Sequence, residues 1–63
     1  MIKIKFVSEA ETGDFINHNQ QLSVISSIEQ DDGRYIIGLE NGELIECYSE
    51  ERKEIFRLKA KLS

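Results

Sequence analysis

Asn41-Gly42 sits between two apolar runs, Tyr35–Leu39 and Leu44–Tyr48, and constrains this chain more than any other feature. Asn-Gly between apolar segments is the strongest short-range signal for a two-residue β-hairpin, because both central residues of such a turn need φ > 0. A two-residue turn here predicts the pairs Glu40–Glu43, Leu39–Leu44, Gly38–Ile45, Ile37–Glu46, Ile36–Cys47 and Tyr35–Tyr48.

A second turn signal, Asp31-Asp32-Gly33, lies just upstream and admits two registers. A two-residue turn at Asp32-Gly33 pairs Ile28 with Ile37 and Ser26 with Leu39; a three-residue loop pairs Ile28 with Ile36. One residue of slip exchanges the faces of a strand. The two-residue turn is preferred because it gathers Leu22, Val24, Ile28, Tyr35, Ile37, Leu39, Leu44 and Tyr48 on one face, with Ser26 and Glu46 the polar members. Each fully buried large aliphatic side chain contributes about 1.5–3 kcal/mol. The opposite face then holds Ile25, Ile36, Ile45 and Cys47, bordered by Glu29, Arg34, Glu40 and Glu43. Gly38 lies among them, where a missing side chain permits bending or close approach. Either the long loop or C-terminal segment covers this second apolar face, or a partner does.

Elsewhere the pattern is plainer. Ile2, Ile4 and Phe6 alternate with Lys3 and Lys5, as in a half-buried strand. Residues 8–21 are polar and read as a long loop, with Phe15-Ile16 as its anchor into the core and His18 solvated. Gln21–Glu29 reads as a strand. Residues 49–62 satisfy two templates. Ser49 as N-cap, Glu50 and Glu51 in the first turn and Lys59 and Lys61 at the end suit a helix. Phe56, Leu58, Ala60 and Leu62 alternating with Arg57, Lys59 and Lys61 suit a strand. The preferred reading is a short helical turn at 49–53 followed by a final strand.

The expected fold is therefore mainly β: one domain spanning 1–63, a small five-stranded antiparallel barrel or strongly bent sheet. The alternative is a β-meander ending in a helix over 49–62. The spacing of strands, long first loop and tight hairpins resembles the small barrel of Src-homology, KOW and Tudor modules, in which the first and last strands lie side by side. That resemblance implies one basic stripe of Lys3, Lys5, Arg57, Lys59 and Lys61. With a helical ending, the strand closing on Ile37-Gly38-Leu39, the hairpin and the polar helix start after Tyr48 look like the carbon storage regulator family of RNA-binding dimers. Here lysines stand in the first strand and Cys47-Tyr48-Ser49 ends the last, where that family has arginines, so RNA binding is not carried over.

Sixty-three residues support one small core; a domain of this size buries only about 60% of its unfolded surface. Cys47 is the single cysteine and His18 the single histidine, too few for a disulfide or a four-ligand zinc site. With no apolar run long enough for a membrane span and no signal-peptide pattern, the expected compartment is the cytoplasm. No metal, cofactor or membrane partner is expected. Catalysis needs a positioned nucleophile, base or metal, yet the serines lack an elbow context, there is no glycine-rich phosphate loop, and Asp31-Asp32-Gly33 lacks calcium-loop spacing. The chain reads as non-enzymatic.

The net charge of −4 is segregated: all twelve carboxylates lie between Glu9 and Glu54, while residues 1–8 and 55–63 carry only cations. Two functions follow as expectations. The first is a protein-interaction module, a regulator, inhibitor or accessory protein, binding a protein or a second copy of itself through Ile25, Ile36, Ile45 and Cys47. The alternative is an RNA- or DNA-binding regulator using Lys3, Lys5, Arg57, Lys59 and Lys61 on phosphates.

Overall fold

The computed structural model describes residues 2–58. Six strands form one antiparallel sheet: β1 (Ile2–Ile4), β2 (Phe15–His18), β3 (Gln21–Asp31), β4 (Arg34–Leu39), β5 (Leu44–Tyr48) and β6 (Ile55–Arg57). Their order across the sheet is β1-β6-β2-β3-β4-β5, so β1 and β5 are its edges and it does not close. The inner face presents Ile4, Ile16, Ile25, Ile37, Leu39, Ile45, Cys47 and Ile55, which with Val7 form one buried cluster. No second layer of sheet or helix covers that face among the described residues. The sheet must therefore curl about its own core, with Val7, in a short 3-10 turn at Val7–Glu9, as a plug.

The first hairpin forms as its turn chemistry dictates. Asp32 (φ 51°) and Gly33 (φ 81°) make a two-residue turn, and Asp31 pairs with Arg34 and Ile28 with Ile37. Four residues on, the register shifts. Ser27 opposes Gly38 but Ile25 opposes Leu39, leaving Ser26 as a bulge residue. A bulge sets two residues against one and increases local twist. Ser26 Oγ donates to the Gly38 carbonyl at 3.1 Å. A Cβ on Gly38 would collide with Ser27 Oγ, so the close approach anticipated there is real.

The second hairpin differs from its predicted register by one residue. Gly38 pairs with Leu44, Ile37 with Ile45, Ile36 with Glu46 and Tyr35 with Cys47. Its loop has three residues, not two. The Gly42 N–H donates to the Leu39 carbonyl (2.9 Å), and the Leu39 N–H donates to Glu43 (2.9 Å). Gly42 (φ 94°) takes the left-handed position, the pattern of a turn followed by a glycine bulge. Asn41 stays outside the positive-φ region and instead uses its side chain, accepting from the Glu43 N–H at 2.9 Å. That contact lets Asn41 close the turn without αL geometry.

These two offsets overturn the predicted face assignment on either side of β4. Ile25, Ile45 and Cys47, expected to form an exposed partner-binding face, are 1%, 5% and 1% exposed and belong to the core. Ile36 alone of that set stays on the outer face, half-buried. Leu22, Leu44 and Tyr48, expected inside, are exposed. The middle strand β4 keeps its predicted inner side, with Ile37 and Leu39 buried and Tyr35 packed against them.

Three further expectations change. The segment read as a loop over 8–21 contains β2, closed onto β3 by a two-residue turn at Asn19 (φ 53°) and Gln20 (φ 64°). The strands number six rather than five because of it. Residues 49–54 form neither a helical turn at 49–53 nor the start of a helix over 49–62. The Glu51 N–H donates to the Tyr48 carbonyl (3.0 Å) while Glu51 Oε1 accepts from the Tyr48 N–H (2.9 Å), closing a turn that leads into β6. The alternating pattern wins over helix propensity because Ile55 fills the core between Ile4 and Ile16. Its continuation past Leu58 lies outside the described residues.

Candidate functional site

The first and last strands are adjacent, as the small-barrel spacing implied: Ile2 pairs with Arg57, Lys3 with Phe56 and Ile4 with Ile55. That register divides the expected basic stripe. Directly opposed residues share a face, so Arg57 lies on the side of Ile2 and the core, whereas Lys3 lies with Phe56 on the outer side. Lys59 and Lys61 lie outside the described residues.

Arg57 is committed to holding the fold. Its Nε donates to Asp14 Oδ1 at 2.8 Å and its Nη2 to Asp14 Oδ2 at 2.9 Å and to the Glu9 carbonyl at 3.0 Å. Asp14 also accepts from the Glu11 N–H at 2.8 Å and is the buried charged residue of the described chain. The Arg57 hydrogen bond holds the Asp14 carboxyl below the usual carboxylate range, against the opposing effect of burial. The same pairing raises Arg57 further above its already high value. A bidentate guanidinium–carboxylate pair is the strongest polar staple available to a side chain. It fastens β6 to the loop entering β2 and is unavailable for phosphate.

Cys47 is set in the core. Burial pushes its thiol pKa up, the Glu51 charge adds to this, and Lys53 partly offsets it. Its Sγ lies 3.8 Å from the Tyr35 carbonyl oxygen. It acts as a small core hydrophobe. Among the described residues no three His, Cys, Asp or Glu side chains converge to hold a metal ion, and no helix is long and apolar enough to cross a membrane.

A concave feature opens where the chain leaving β1 diverges from the chain entering β6. A groove of about 470 Å3 is lined by Lys3, Ile4, Lys5, Phe6, Arg52, Lys53 and Glu54. Four of the seven are cations and one is an acid. That acid is already engaged: Glu54 Oε1 accepts from Asn17 Nδ2 at 2.8 Å, and the Glu54 carbonyl accepts from the Asn17 N–H at 2.9 Å. Among the described residues Lys3, Lys5 and Arg52 form no ion pair, while Lys53 Nζ lies 3.7 Å from Glu51. The Arg52 guanidinium sits over the Phe6 ring, 5.8 Å from its centroid, a cation–π distance.

Lys3 and Lys5 thus line one groove with Arg52 and Lys53, while Arg57 is engaged elsewhere. Sequence reasoning missed Arg52 and Lys53 because they lie in the acid-rich run Glu50–Glu54. The signal that finds them is the β1–β6 register: extended one step beyond Ile4–Ile55, it sets Lys5 beside Glu54 and its neighbours. The chain was compared with protein-family models, curated proteins and solved structures, and none matches.

Proposed function

We propose that this chain is a small non-enzymatic binding module whose groove at the end of β1 takes an anionic partner. The observation that carries this reading is the excess of cations in a concave site. Lys3, Lys5, Arg52 and Lys53 face it, in a chain whose net charge is −4. Like charges gathered in a cleft repel one another and raise the local potential, which draws in anions. At about 470 Å3 the groove falls at the small end of ligand sites, which span about 300–1,000 Å3. The small-barrel outline of Src-homology, KOW and Tudor modules agrees with a binding role, the curled sheet here being read as an incompletely closed form of it.

Titration with inorganic polyphosphate, followed by backbone amide shifts, tests this. Shifts concentrated at Lys3–Phe6 and Arg52–Glu54 are expected, weakening as salt rises. Absence of shifts at low ionic strength, or shifts centred on the β3–β4–β5 hairpins, would sink the reading.

A protein-binding function has separate support in β5, a free edge whose outer side chains Leu44 and Tyr48 are 72% and 54% exposed. On the same face Glu46 lies between them, opposite half-buried Ile36 and paired with Arg34 at 2.7 Å, so the surface mixes apolar and charged groups. An unpaired edge is a template for another strand, and self-pairing through β5 is the simplest occupant. Sedimentation at micromolar concentration should then show a dimer that Leu44→Lys converts to monomer. A monomer for the parent chain removes this second reading.

A further inference from the structure

We infer that the groove's anionic partner is a single-stranded nucleic acid, held by its phosphates at Lys3, Lys5 and Arg52 and by its bases on phenylalanine rings beside them. This rests on the anion-binding reading and goes past it by naming the chemistry between the charges. Across the outer face, Lys3 opposes Phe56 and Phe56 opposes Phe15, which opposes Val24. One row therefore runs from a groove cation onto two adjacent aromatic rings. Both rings are half-buried, on a face that no other layer covers among the described residues. The third phenylalanine, Phe6, is 38% exposed and forms the groove wall with Arg52 stacked on it. The chain has three phenylalanines: Phe56 lies opposite Lys3, Phe6 follows Lys5, and Phe15 stands one strand beyond Phe56.

Charge alone selects any polyanion, but the rings narrow the choice. A cationic track with aromatic side chains beside it is the arrangement that holds single strands, because every base offers a π-face to stack. An acidic peptide has carboxylates for the lysines but, unlike a single strand, no π-face at every repeat for Phe56 and Phe15. A duplex hides its bases and is too stiff to follow a bent track along a sheet edge. An anionic membrane meets a flat or convex surface, whereas the cations here line a recess. The row ends at Val24, whose carbonyl accepts from the Glu40 N–H at 3.0 Å, and the exposed acids Glu40 and Glu43 of that turn repel phosphates and stop the strand there.

The test is fluorescence anisotropy at low ionic strength, using a labelled single-stranded oligonucleotide, an abasic oligomer with the same number of phosphates, and poly-glutamate of equal charge. The oligonucleotide should bind tightest. Lys3→Ala and Arg52→Ala should each weaken both phosphate oligomers and reduce the log–log salt slope by about 1. Phe56→Leu and Phe6→Leu keep apolar bulk and remove the ring. Phe56→Leu should weaken the base-bearing strand by about 5- to 100-fold and leave the abasic one unchanged, whereas Phe6→Leu, which also releases Arg52, should weaken both and the base-bearing strand more. Equal binding of the two phosphate oligomers, or poly-glutamate matching the oligonucleotide, overturns the nucleic-acid inference while the anion-binding reading stands. Binding of none of the three overturns both. Thermal melts of each variant accompany the titration. If Phe56→Leu does not fold, Phe6→Leu decides the base contribution.

Discussion

The β3–β4–β5 meander and the β1–β6–β2 half of the sheet are built on different principles. The meander has strands of 11, 6 and 5 residues, joined in sequence order by glycine-containing turns. Its pairings are local, and apolar residues supply its inner face. The other half has strands of 3, 3 and 4 residues. Its central strand arrives from the far end of the chain, and polar contacts close it: Arg57 to Asp14, and Asn17 to Glu54. Loop-closure entropy must be offset before such non-local pairs contribute. These short strands place Ile4, Ile16 and Ile55, with Val7, in the core, and an ion pair and an amide bridge add to that burial. This half also carries the cationic groove.

The largest effect should come from inside the meander. Ile45 faces Ile37 across the sheet in the core, and a lysine there buries an unpaired charge at a cost of several kcal/mol. A domain of this length has about 3–9 kcal/mol of stability in total. Ile45→Lys should leave the chain unfolded by far-UV circular dichroism, whereas Leu44→Lys, one residue away on the outer face, should melt within a few degrees of the parent. A folded Ile45→Lys would restore the opposite assignment of faces.

Asp14→Ala sharpens the contrast between the halves. The carboxylate accepts from Arg57 twice and from the Glu11 N–H, and its removal leaves the guanidinium without a counter-charge. A cost of about 2–3 kcal/mol is expected, the low side for a broken pair because Arg57 keeps access to solvent. Hydrogen exchange should speed up first in β1, β6 and β2. Uniform acceleration across all six strands would show one cooperative unit and erase the distinction between halves. The pH dependence follows from the direction of the Asp14 shift. Its pKa is lower folded than unfolded, so its contribution is fully present above the ordinary carboxylate range, near pH 4, and is lost as pH falls through the folded value. The parent should lose stability on acidification below about pH 4, and Asp14→Ala should show a smaller loss over the same window.

Gly38→Ala probes the bulge that separates the predicted from the observed faces. The new methyl meets Ser27 Oγ, an overpacking of the kind that costs about 1–3 kcal/mol. Ser27→Ala in the same chain removes the obstructing oxygen and should recover most of the loss. No recovery would mean that the backbone at Gly38, rather than the Ser27 side chain, sets the bend.

How much of this was legible in the sequence tracks the same division. The turn at Asp32-Gly33 and the inner side of β4 could be read because glycine chemistry and alternation agree there. The Ser26 bulge could not, because a serine on either face costs little and leaves no mark on the pattern. The three-residue loop at Glu40–Gly42 was hidden because Asn-Gly serves a two-residue turn and a glycine-bulge loop alike. One residue of slip in each place moved Ile25, Ile45 and Cys47 from a proposed surface into the core. At the site, Lys3 and Lys5 were visible as a charged strand. Arg52 and Lys53 became neighbours of those lysines and of Phe6 through a pairing some fifty residues apart in sequence, which no local pattern encodes.

The smallest predicted effect tests why β2 went unread. Its hairpin to β3 uses Asn19-Gln20, both with positive φ, in the same role that Asp32-Gly33 plays between β3 and β4. Asparagine tolerates the left-handed region, but glutamine at φ 64° has a Cβ that disfavours it by roughly 1 kcal/mol. Gln20→Gly relieves that strain at the cost of a more flexible unfolded chain, which takes back about half of the gain. The side chain is exposed and has no hydrogen-bond partner among the described residues, so nothing else is lost. The substitution should stabilise the fold by about 0.5 kcal/mol and slow exchange at Asn17 and Leu22, which face each other across the turn. Gly33→Gln, the reciprocal change, should destabilise β3–β4 by a similar or larger amount. If Gln20→Gly proves neutral or destabilising while Gly33→Gln is costly, then the two turns are not equivalent, and β2 owes its place to Ile16 packing between Ile55 and the core rather than to its hairpin.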